Sequence, residues 1–105
     1  MSDFSQLIYR KTPVLVDFHA SWSESCKKVN PVLERVKSEL GDRLKILKVD
    51  VDRNPSTVKT YDIWRVPTLV LIWRGQRLWK HHGIITTGPL LEQMKRFFSK
   101  NILKG

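Results

Sequence analysis

Apolar side chains run along this chain in two rhythms, one suited to strands and one to helices. Val14-Leu15-Val16-Asp17-Phe18 is a short, β-branched apolar run of the kind that forms a buried strand. From Ser23 to Leu40 the period lengthens. Val29, Val32, Leu33, Val36 and Leu40 recur at helical spacing and line one face. Pro31 sits inside that helix and predicts a kink, and Gly41 stops it. Leu44, Ile46, Leu47, Val49 and Val51 are interspersed with polar residues and predict a second strand over 44–51. Asn54-Pro55 opens a short helix, Ser56 to Tyr61. Thr68 to Trp73, entered through Pro67, is a third strand. Arg77 to His82 is a fourth, joined to it by a tight turn at Arg74-Gly75-Gln76. Gly83 ends the hairpin. Leu90, Leu91, Met94, Phe97 and Phe98 are the stripe of a last helix, Thr87 to Ile102. Ahead of all these, Phe4, Leu7 and Ile8 predict a helix from Ser2 to Arg10, with Ser2 or Asp3 as N-cap and Thr12-Pro13 as its break.

The element order is therefore αβαβαββα. A helical connection between the first two strands implies a parallel pair with a right-handed crossover, and the hairpin adds an antiparallel pair. The expected architecture is α/β, one central mixed four-stranded sheet with helices on both faces. No repeat, low-complexity tract or linker divides the chain, so residues 1–105 are read as one domain. Apolar residues make up 41%, enough for a packed core and too many for a disordered chain. No segment approaches the roughly 18 apolar residues of a membrane span. No apolar leader follows Met1, and the expected location is cytoplasmic. The single cysteine, Cys26, leaves the core without an internal disulfide. A formal charge of +9 favours acidic partners, nucleic acid or an anionic membrane surface and says nothing about the fold.

The segment from Val14 to Lys27, reading VLVDFHASWSESCK, resembles the active-site segment of thioredoxins. In that family the strand ends in Val-Asp-Phe-Trp-Ala, and Trp-Cys-Gly-Pro-Cys-Lys opens the helix. Pro31 matches the family's helix proline, and Lys48-Val49-Asp50-Val51-Asp52 resembles its next strand. Arg65-Val66-Pro67-Thr68 resembles Gly-Ile-Pro-Thr, whose proline is cis. Gly75 and Gly83 match its hairpin and groove glycines. The resemblance implies a thioredoxin fold and membership of the thiol–disulfide oxidoreductase family, which serves cell redox homeostasis, with no cofactor. Two departures change what it implies. Ser23 stands where the family has its exposed nucleophilic cysteine, so two-cysteine exchange is not available. No strand precedes Phe4, so the N-terminal strand of typical thioredoxins is missing. That leaves the 44–51 strand at the sheet edge, an open template for a homodimer.

The resemblance also assigns candidate residues. Cys26 is either a thiolate activated at a helix N-terminus beside Lys27 or the shielded second cysteine of the family. Ser23 is a helix N-cap, or a nucleophile using His19, although no elbow motif supports the latter. Asp17, with Lys48 nearby, is the family's proton acceptor beneath Cys26, or an ion pair without a task. Trp22, Arg65, Val66, Pro67, His82 and Gly83 line the implied substrate groove, where the backbone of Val66 can pair with an extended peptide. Arg65, His82 and His19 replace a glycine, an apolar residue and a tryptophan of the family. Lys27 and Lys28 add charge, so the rim suits an acidic or thiol-containing peptide or a glutathione-like ligand. His81 and His82 are adjacent on a strand and face opposite ways, which argues against a metal site. The hairpin tip, Trp73 to Trp79, mixes aromatics with arginines and can stack on bases or seed a protein interface, or else one tryptophan packs in the core and the other is exposed by chance; no helix-turn-helix, zinc or RNP pattern accompanies it. Three functional readings follow: foremost a degenerate redox protein with at most residual thiol chemistry at Cys26, as its alternative a non-catalytic peptide-binding module, and, least favoured, a nucleic-acid binder.

Overall fold

The computed structural model describes residues 11–99. Strand β1 spans Val14–His19, and helix α1 spans Glu24–Leu40. Strand β2 follows at Lys45–Asp50 after a single 3₁₀ turn, and a short helix α2 at Pro55–Thr60. The hairpin of β3 (Thr68–Trp73) and β4 (Gln76–His82) leads into helix α3, Thr87–Phe97. The expected first helix, 2–10, and the expected end of the last helix, 100–102, lie outside the described residues.

The four strands form one sheet in the order β2-β1-β3-β4. β1 pairs parallel with β2, from Val14 opposite Lys45 to His19 opposite Asp50. β1 is antiparallel to β3, and β3 to β4. The sheet is therefore mixed. β1 and β3 lie in its centre, which is why both read as apolar runs, interrupted in β1 only by Asp17 before its last residue, His19. β2 is outermost, and alternates more openly between apolar and charged residues. Among the described residues no strand pairs with its outer edge.

Side chains alternate across the strands and build two cores. Leu15, Leu69 and Leu71 point to the face covered by α1 and α3, where they meet Val29, Leu33, Val36, Leu90, Met94 and Phe98. Val14, Val16, Phe18, Val70 and Ile72 point the other way, onto Val49, Tyr61 and Ile63. Asp17 shares the orientation of Leu15 and so lies under α1. Helix α1 ends at Gly41, whose φ of 56° is open to glycine, and whose N–H bonds the Lys37 carbonyl. The Lys37 ammonium donates to the carbonyls of Gly41 and Leu44, tying the last turn of α1 to the segment that leads into β2.

The hairpin differs from the expected turn. Arg74 (φ 52°) and Gly75 (φ 82°) alone make it, and Gln76 already pairs with Trp73. Two positive φ angles are what a tight two-residue turn requires. The pairing then skips: Ile72 faces Arg77, but Leu71 faces Trp79, so Leu78 is one residue extra and forms a β-bulge. Leu78 and Trp79, though consecutive, both pack against the α1–α3 core.

Candidate functional site

The site begins where β1 ends. Ala20 is buried and its carbonyl accepts from the Ser23 N–H, turning the chain sharply into α1. Ser23 has extended backbone, and its Oγ accepts the Cys26 N–H at 3.2 Å. It is a helix N-cap, satisfying a donor that the first helical turn cannot. The hydroxyl makes no bond to His19 among the described residues, so the serine-nucleophile expectation has no geometric basis. Cys26 is one turn into the helix and only 5% exposed.

Asp17 is 1% exposed, and neither carboxylate oxygen has a hydrogen-bond partner among the described residues. Burial pushes its pKa up, against the opposing charges of His19 and Lys48. Lys48 is the register partner of Asp17 on β2. Its ammonium nevertheless donates to Asn30 Oδ1 on α1 at 2.7 Å. The expected Asp17–Lys48 ion pair is therefore not formed. Lys48 is solvent-exposed, and a bond made with its head in water avoids the desolvation that reaching a buried carboxylate would cost. No hydrogen bond joins Asp17 to Cys26 either.

The loop before β3 supplies the other half. The Val66–Pro67 peptide bond is cis, and the Pro67 carbonyl accepts the Gly83 N–H at 2.8 Å. Thr68, fully buried, contacts both the Arg65 carbonyl (2.7 Å) and His82 Nδ1 (2.9 Å) through one hydroxyl. A carbonyl only accepts, so the single Thr68 proton goes to Arg65. His82 Nδ1 must then carry a proton and donate to Thr68, which leaves Nε2 of the neutral ring free to accept. Partial burial lowers the His82 pKa, and Lys80, Arg65 and His81 lower it further. The ring lies against Trp64, centroids 4.9 Å apart.

Trp22, Arg65 and Val66, all expected groove residues, line one groove of about 300 Å³. Trp64 and Asp52 line it too, with Val51, Val58 and Ile63 as its apolar part. The indole of Trp22 donates to Asp52 Oδ2 at 2.9 Å. Sequence reasoning missed both Trp64 and Asp52. A single tryptophan in a polar loop has no periodicity to betray it; the one available signal was an aromatic directly beside Arg65. The aromatics singled out at the hairpin tip are engaged instead. Trp73 donates to the Lys11 carbonyl beneath Arg74, and Trp79 packs on the core beside His81. A wider concavity of about 710 Å³ along α3 contains none of the site residues. Among the described residues no three potential metal ligands cluster. No helix among them is long and apolar enough to cross a membrane.

A parallel βαβ unit that brings an x-x-Cys turn to the start of a long helix, followed by a cis-proline loop, is the framework of thiol–disulfide exchange proteins. The family model described as thioredoxin matches residues 1–96. A thioredoxin-like protein of Synechocystis sp. is 38% identical over 85 residues, 81% of this chain and 81% of its own. The thioredoxin of Rickettsia prowazekii is 32% identical over 92 residues, 88% of each chain. Oxidized mitochondrial thioredoxin 3 of Saccharomyces cerevisiae superimposes with a TM-score of 0.81 at 30% identity, over 90% of this chain and 87% of that one. The chain belongs to the thioredoxin family.

Proposed function

We propose that this chain is a thioredoxin-family binding module that takes an extended polypeptide beside Pro67 without cycling a disulfide. The observation that carries the reading is the state of its one thiol. Cys26 is nearly inaccessible, and Ser23, three residues ahead of it, is a capping serine that accepts the Cys26 N–H. Disulfide exchange needs a thiolate that can reach the substrate sulfur, and a second thiol to release the mixed disulfide. A serine hydroxyl supplies neither. Val66 precedes the strand ladder, is only half-buried, and lines the open groove, which suits main-chain pairing with an extended segment.

Two measurements test this. Wild-type protein is expected to show no turnover of insulin disulfides with a thioredoxin-type reductant, and Ser23→Cys to gain it. Cys26→Ser is expected to keep peptide binding. Turnover by the wild type, or loss of binding in Cys26→Ser, overturns the reading in favour of residual thiol chemistry.

A further inference from the structure

The groove carries more information than its shape. Trp22 and Trp64 are 68% and 67% exposed, and both border the same concavity. Large aromatics left in water together, over Val51, Val58 and Ile63, are an unfilled apolar contact rather than scattered exposure. Arg65 lines the groove as well. Its guanidinium lies 5.6 Å from the Trp64 ring centroid, and Nη2 sits 3.4 Å from where a Cβ on Gly83 would be. It therefore reaches from the groove across to Gly83 and the Pro67 loop. Arg65 forms no ion pair among the described residues, whose two salt bridges are Lys27–Glu24 and Arg53–Asp50. Around the adjoining His82 ring, Lys80 and His81 are basic and Asp62 is acidic.

From this juxtaposition we infer that the groove selects an extended peptide carrying a large apolar side chain and, two positions away, a carboxylate. The apolar group fills the space between Trp22 and Trp64, and the carboxylate meets the Arg65 fork. In an extended segment, residues two apart share a face, so both reach the groove at once. A nucleic acid fits less well. A base could stack between the tryptophans, but Asp52 lines the same groove, bonded to Trp22, and repels a polyanionic backbone. A peptide with one acid brings a single negative charge, for the Arg65 fork to take. The inference rests on the groove being a peptide site.

Calorimetric titration with three short synthetic peptides, identical except at the two positions, tests it in moderate salt. The Phe-x-Glu peptide is expected to bind about tenfold more tightly than Ala-x-Glu or Phe-x-Lys. Trp64→Ala is expected to remove the preference for Phe, and Arg65→Glu to reverse the preference for Glu. Both residues are exposed, so circular dichroism should show unchanged folding. Lys95→Glu on α3 makes the same change in net charge elsewhere and is expected to leave the order intact. If all three peptides bind alike and neither groove variant alters them, the selectivity is wrong while the peptide site stands. If none binds, the peptide site and the selectivity fall together. If instead a single-stranded oligonucleotide binds more tightly than any peptide and Trp64→Ala abolishes it, the groove belongs to nucleic acid and the inference is overturned.

Discussion

Replacing Asp17 with asparagine should make this protein more stable at neutral pH and leave it unchanged in acid. The carboxylate is 1% exposed, both oxygens lack partners, and its nearest opposite charges, Lys48 and His19, do not bond it. A buried polar group left unsatisfied costs about 1–3 kcal/mol, and more when charged. Asparagine keeps the volume and loses the charge but still buries polar atoms, so the net gain should be about 1–2 kcal/mol at pH 7. The pH dependence follows from the direction of the shift. Burial raises the folded-state pKa above the ordinary 3.8, so between those two values the folded protein holds a proton that the unfolded chain has released. Stability contributed by neutral Asp17 is full below 3.8 and is lost as pH climbs through the raised value. Urea unfolding of both proteins, followed by tryptophan fluorescence from acid to neutral pH, measures this as the difference between them, which cancels other titrating groups. The variant should pull ahead across that window and hold its lead above it. A variant less stable than wild type at pH 7, or a difference that does not change with pH, would refute the unpaired-carboxylate account.

Two further substitutions probe the fold around the site. Ser23→Ala removes the hydroxyl that receives the Cys26 N–H and should cost about 1 kcal/mol in urea unfolding; a neutral result would mean that water caps the helix equally well. Phe98→Ala hollows the core between α1, α3 and the sheet, where Phe98 is 1% exposed, and should lower stability by about 3–5 kcal/mol with an unchanged denaturant slope. A loss under about 1 kcal/mol would show that the core collapses to fill the space.

How legible all this was in the sequence depended on how local the cause was. β3 runs from Thr68 to Trp73 as its apolar run predicts, because a central strand is apolar on both faces and β-branched residues mark it. Ser23 reads as a cap because capping is decided within four residues. The burial of Asp17 was equally readable, enclosed as it is by Val16 and Phe18. That Lys48 would ignore it was not. The competing partner, Asn30, is 18 residues away and is brought close only when α1 lies across β2. The groove shows the same boundary. Arg65, Val66 and Pro67 stand out by resemblance, whereas Trp64 and Asp52 join Trp22 only after three separate loops meet. At the hairpin, core packing for one of Trp73 and Trp79 was readable, but not which; the extra residue at Leu78 turns Trp79 inward.

That extra residue sets the phase of everything after it. In a regular ladder, with Leu78 opposite Leu71, Trp79 and Lys80 would turn to the sides each now avoids, and His81 and His82 would trade places. Lys80 would lose the Tyr61 and Asp62 carbonyls it now holds, and the imidazole bonded to Thr68 would face away from Trp64. The chemistry beside Pro67 thus hangs on how the opposite arm of the hairpin takes up one surplus residue; deleting Leu78 itself would keep Trp79 opposite Leu71 and every later side chain on its present face.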